Sequence, residues 1–218
     1  MGIHLNPLLI FFTDQGVPLE TVLLLLMLPI IATFIAFLRQ VVGIKAFGIY
    51  TPLIVTFSFL ATNGVKYGIA IFLAVVVFGM LMRFALKPFR LLYLPRVAIM
   101  LTVVTIMILG ILVLGGNIRR TGLAHVSIFP ILIMITIVEK FIAVQIEKGD
   151  KTAIRLALET LVISILGYYL ASWRVLLEFV ASYPWAILFT IPINVALGKW
   201  TGLRLTEYLR FKDVIRKM

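Results

Sequence analysis

Gln40-Val-Val-Gly43-Ile-Lys45-Ala-Phe-Gly48-Ile-Tyr-Thr51-Pro52 lies between two strongly apolar runs and does not read as a plain helix. Gly43 and Gly48 each weaken a helix by about 1 kcal/mol relative to alanine. Thr51-Pro52 reads as an N-cap followed by proline at the first helical position. The apolar helix that starts there ends at Thr62, because Asn63-Gly64 follows. Twelve residues rise only about 18 Å, against a hydrocarbon core of roughly 30 Å. To cross, the segment must recruit the glycine-containing stretch as a half-helix or an unwound approach. Irregular backbone survives in a membrane only when buried in protein or lining a wet cavity. Gly43, Lys45, Gly48 and Thr51 are therefore candidate binding residues. The positive end of the helix dipole beside Lys45 favours an anionic group: a carboxylate, a phosphate or an anionic lipid headgroup. The alternative is one continuous kinked helix from Val41, with Lys45 snorkelling to the interface.

Outward from this stretch, composition sets the class. Of 218 residues, 62% are hydrophobic and 13% charged, whereas soluble domains run at about 45–50% and 25%. Runs of about 20 apolar residues recur from end to end, the pattern of a polytopic helical membrane protein. The chain has no cysteine, which removes disulfides, thiol catalysis and thiolate metal sites. The net charge of +11 fits loops that face anionic lipid, and no nucleic-acid partner is expected.

The expected fold is all-α, with seven transmembrane helices. Residues 1–17 form an outer-side entry segment without the basic region of a signal peptide. Residues 18–198 form the seven-helix domain, and residues 199–218 a basic cytosolic tail. The spans are expected at about Pro18–Leu38, the broken segment ending at Thr62, Tyr67–Leu86, Val97–Gly115, His125–Gln145, Thr152–Ala171 and Val175–Leu197. The segment Phe89–Arg96 reads as an interfacial connector. Asp150 is the expected N-cap of the sixth span, and Tyr183-Pro184 interrupts the seventh, part of which is expected along the outer interface. With the N-terminus outside, Lys66, Arg119, Arg120 and Arg174 stay outside, and the other 16 of the 20 basic residues collect inside. That asymmetry orients the chain, with the C-terminus cytosolic.

On this topology the chain resembles the bacterial family of seven-transmembrane-helix domains usually fused to an inactive transglutaminase-like domain. Four stretches carry the likeness: Val42 to Pro52; Leu94-Pro-Arg-Val-Ala98 leading into Leu101-Thr-Val-Val104; Ile135-Thr-Ile-Val-Glu139; and Gly202-Leu-Arg-Leu-Thr-Glu-Tyr-Leu-Arg-Phe211. The resemblance implies a multi-pass protein of the plasma (inner) membrane. It also implies two partners, an extracytoplasmic transglutaminase-like domain and a cytosolic ATP-grasp-type ligase. Seventeen residues ahead of the first span cannot hold the former, so a stand-alone member or a separate partner chain is expected.

Ionisable groups inside apolar spans are the remaining candidates, since each is costly there unless paired or wet. Arg155 and Glu159, spaced i, i+4, are expected to pair. Glu139 is expected at similar depth on the preceding span, with Lys140 pointing about 100° away and snorkelling. The three could form a salt-bridge cluster that locks helix packing, or a pocket for a ligand or ion. His4 and His125 are too few for a metal site, and no cofactor is expected. Asn194 and Thr190 are expected to hydrogen-bond a neighbouring helix. No zinc-protease, phosphate-loop or serine-elbow motif is present. The expected function is a non-catalytic membrane subunit or scaffold of an envelope peptide-modification or export system. The alternative is a small transporter or flippase for an anionic peptide or lipid-linked substrate. An intramembrane enzyme acting through Glu139 or Glu159 ranks behind both, for want of a nucleophile or metal.

Overall fold

Proline, glycine and asparagine mark most of the helix boundaries in the computed structural model, which describes residues 6–62, 65–86, 92–117 and 128–200, with Gly202 and Leu205. The expectations for His4, His125, Arg119, Arg120 and most of the tail lie outside the described residues. In order, the helices are α1 (Pro7–Asp14), α2 (Leu19–Phe37), α3 (Tyr50–Ala61), α4 (Val65–Leu86), α5 (Tyr93–Asn117), α6 (Ile128–Lys148), α7 (Asp150–Ala171), α8 (Arg174–Ser182) and α9 (Thr190–Gly198). A π-turn, Leu38–Val42, extends α2, and a 3-10 segment, Pro184–Phe189, leads into α9.

Several boundaries differ from the sequence expectation for local reasons. The first expected span does not stop at Leu38: α2 widens there into the π-turn, which Gly43 ends at φ 90°. α5 begins at Tyr93, so Pro95 falls in a first turn, where its missing amide is harmless. Asp150 is the first residue of α7 rather than its cap. Gly149, at φ 83°, makes the break from α6.

The chain divides into two compact units, residues 1–45 with 169–218, and residues 46–168. In the first unit α2 is the hub, packed by α1, α8 and α9. Leu9, Val22 and Ala181 form a small buried cluster there. Asn6 serves two helices at once. Its side chain accepts from the amide of Leu8 at 3.0 Å, capping α1, and its Nδ2 donates to the carbonyl of Ser182 at 3.1 Å. Its own amide donates to the Ala181 carbonyl at 3.3 Å. Orphan groups at one helix start and one helix end thus satisfy each other. As expected for Asn194, its Nδ2 bonds across to a neighbouring helix, reaching Thr33 Oγ1 on α2 at 2.7 Å.

In the second unit α6 is the hub, packed by α3, α4 and α5. Val55, Phe59, Phe72, Val75, Val104, Ile137, Val138, Ile142 and Leu161 share one core. A second cluster joins Phe47 and Phe141, edge to face at 6.5 Å, with Ala153 and Ala157 of α7.

Among the described residues, Leu19–Val42 and Asp150–Ala171 are each long and apolar enough to cross a membrane. Arg174–Ser182 and Pro184–Gly198 reach that length only as a pair bent by 104°. The interruption falls at Tyr183-Pro184, as the proline requires. Tyr50–Ala61 is a shorter apolar helix, and Val65–Leu81 and Val97–Gly110 are apolar stretches within the longer α4 and α5.

Candidate functional site

The backbone between the π-turn and α3 is not helical. The amides of Gly43 and Ile44 both close back on the Leu38 carbonyl, at 3.0 and 3.2 Å, and Gly48 sits at φ 75°. The reading of one continuous helix through this stretch is therefore excluded. Gly43 and Gly48 occupy left-handed conformations that cost other L-residues about 1–2 kcal/mol. At Gly48 the demand is purely conformational, because a Cβ there would meet nothing within 4 Å. Thr51 is not the cap. Ile49 holds that position without a side-chain hydrogen bond, and Thr51 is buried as the second helical residue. α3 then runs to Ala61 with Thr62 after it, close to the expected length.

Three hydroxyls pin the start of α3 to α7. The amide of Phe47 donates to Thr160 Oγ1 at 3.2 Å, and that hydroxyl donates to the Leu156 carbonyl at 2.7 Å. Ser164 Oγ lies 3.1 Å from the Pro52 carbonyl and 2.8 Å from that of Thr160. Thr56 Oγ1 lies 2.8 Å from the Pro52 carbonyl and 3.2 Å from that of Ser164. Thr56, Thr160 and Ser164 are all fully buried. Gly167 permits the approach, since a Cβ there would sit 2.6 Å from Thr56 Oγ1. Each of these hydroxyl protons goes to a backbone carbonyl, so none is poised as a nucleophile. Their role is to fix backbone. In contrast, among the described residues the amides of Ile49, Tyr50 and Thr51 find no acceptor, the usual state of a helix start. Tyr50 is 78% exposed.

The other sequence candidates fall in different places. Arg155 Nε and Glu159 Oε1 are 2.7 Å apart, the expected i, i+4 pair. Lys45 is exposed. Glu139 is also exposed, on α6, and no ion pair joins it to Arg155 or Glu159 among the described residues. No group of three or more potential metal-ligating side chains occurs among the described residues. Sequence reasoning passed over Thr160 and Ser164, although their four-residue spacing puts both hydroxyls on one helix face. It also passed over Gln145, which is fully buried rather than at a boundary. Ser58 Oγ is buried without a hydrogen-bond partner among the described residues.

A family model for seven transmembrane helices usually fused to an inactive transglutaminase matches residues 10–215. The chain belongs to this family. The match takes in all four stretches that carry the sequence resemblance, including the irregular segment before α3. It is a membrane protein, and lipid is the medium around its apolar helices. That explains the exposed Trp185, Phe189, Ile191, Ile193 and Val195 along the last helical region, where α9 buries none of its side chains. No curated protein and no solved structure matches the chain.

Proposed function

We propose that this family member is a non-catalytic membrane subunit that couples a transglutaminase-like domain outside the membrane to an ATP-grasp-type ligase in the cytosol, within an envelope peptide-modification or export system. In this reading all seven helices cross the inner membrane, with the N-terminus outside and the basic tail in the cytosol. The 16-to-4 division of basic residues supports that orientation.

The observation that supports the proposal is the non-helical backbone between the π-turn and α3, turned by Gly43 and Gly48 at positive φ. The hydroxyls of Thr160, Ser164 and Thr56 that hold Phe47 and the start of α3 all serve backbone, which suits a shaped contact surface better than a reaction centre. Orphan amides at the start of α3, with Lys45 just upstream in sequence, favour an anionic group from a partner or substrate. Arg155, Glu159 and Glu139 are assigned here to the same subunit's binding functions, not to catalysis. The same broken helix also supports a second reading, a small transporter or flippase for an anionic peptide or lipid-linked substrate.

Affinity purification from native membranes in mild detergent separates the two. A ligase-class protein recovered in stoichiometric amount supports the subunit reading. Flux of a labelled anionic peptide into liposomes containing the purified chain alone would replace it with the transporter reading. Recovery of neither partner nor flux counts against both.

A further inference from the structure

Halfway along α6, Glu139 and Lys140 stand side by side and exposed. Eleven residues of α6 precede Glu139 and nine follow it, which places the pair roughly 16 Å and 13 Å from the helix ends. These are the only charges between Ile128 and Gln145. Neither makes a hydrogen bond or ion pair among the described residues. They cannot neutralise each other, because adjacent helix positions point about 100° apart. A lysine at this depth can snorkel part of the way to the interface, whereas a glutamate has a shorter stem. In lipid an unpaired carboxylate there is expensive.

The rest of α6 shows which face is vacant. Ile137, Val138, Phe141, Ile142 and Gln145 are buried against the protein's own helices. The opposite arc holds Glu139, Lys140, the half-buried Ala143 and Glu147. The bisector between Glu139 and Lys140 passes within about 10° of Ala143 on a regular helix. A small residue thus lies at the centre of the arc, where two helices could approach closely.

We propose that this face of α6 packs against the same face of a second copy, about a two-fold axis parallel to α6. Rotation about that axis sets Glu139 of each copy opposite Lys140 of the other, on the two sides of the axis. Two adjacent positions that cannot pair within one helix pair reciprocally between two. The face is self-complementary, as an isologous interface must be. Lipid would leave both charges unmet, and an unrelated helix would need an acid and a base in the same register. The inference goes beyond the subunit reading and rests only on α6 crossing the bilayer.

The test uses the full chain in native membranes, where its lack of cysteine makes Ala143→Cys a single reporter. Mild oxidation should give a disulfide-linked dimer. Glu139→Lys or Lys140→Glu, each added to that background, should cut the cross-linked fraction about tenfold, because each sets like charges against each other. Co-expressing the two single reversals under different tags should restore a mixed dimer, since each copy supplies the charge the other lacks. The swapped double Glu139→Lys/Lys140→Glu should restore the homodimer. If the single variants fail to accumulate, the mixed pair and the swapped double decide the matter. A thiol at position 143 that reacts with maleimide but never cross-links overturns the proposal. So does a cross-link to another polypeptide only, or a yield indifferent to charge reversal.

Discussion

Gly167→Ala should destabilise the protein, although alanine is the better helix former. Gly167 lies in α7 against Thr56, and an added Cβ would come 2.6 Å from Thr56 Oγ1 and 3.1 Å from its Cγ2. Thr56 is fully buried and hydrogen-bonded to the Pro52 and Ser164 carbonyls, so it cannot swing aside without weakening both bonds. Overpacking of this kind costs about 1–3 kcal/mol, and a weakened hydrogen bond about 1 kcal/mol more. Helix propensity returns about 1 kcal/mol. The net expectation is a loss of about 1–3 kcal/mol. Gly110→Ala in α5 is the calibrator, because a Cβ there meets nothing within 4 Å. It should stabilise by up to about 1 kcal/mol. Unfolding free energies in mixed micelles would be measured for both variants, for Thr56→Ala and for the double variant Gly167→Ala/Thr56→Ala. The double should be more stable than additivity allows, by about 1–2 kcal/mol. The same sign for both glycine variants, or strict additivity in the double, would refute the claim that α3 and α7 meet here at closest packing.

Three further outcomes are expected. Single cysteines at Thr13 and in the Asn117–Ala124 loop should react with a membrane-impermeant maleimide in intact cells, and one at Lys148 or in the tail should not; the reverse pattern would invert the topology. Gly48→Ala should lower stability by about 1–2 kcal/mol through its left-handed backbone alone, and Gly48→Asn by less; a neutral Gly48→Ala in the same unfolding assay would mean that φ is not held at 75°. Arg155→Gln should change stability by no more than about 0.5 kcal/mol, because the Arg155 side chain is 74% exposed in its pair with Glu159; a larger loss would show that the pair is enclosed in the working assembly.

What could be read from the chain divides by the range of the interaction. Gly43 and Gly48 announce a break and Pro52 a helix start, because their constraints act on their own φ, ψ and amide. The placement of α3 followed to within a residue or two. Its cap did not, since threonine caps only when its own backbone stays extended, and here the chain turns helical two residues earlier than expected. Arg155 and Glu159 were legible for the same reason as the glycines: a four-residue spacing brings them together without help from the fold. Tyr183-Pro184 announced an interruption, but the bend of 104° depends on what each half packs against.

Glu139 shows where local reasoning stops. Its depth follows from counting along α6, but its direction does not. In water, an apolar stripe tells which side of a helix faces the core. In lipid, both sides of a spanning helix are apolar, and that signal disappears. The sides are then distinguished by small and hydroxyl-bearing residues. Thr56, Thr160, Ser164 and Gly167 mark the inward contact of α3 with α7. By the same logic Phe141 and Gln145, both fully buried, turn α6 inward on the arc opposite Glu139 and Lys140. A helix with a buried glutamine on one side and an exposed acid and base on the other has two polar faces in an apolar medium. The inner face is buried among the protein's own helices, and in the proposed dimer the outer one meets the same face of a second copy.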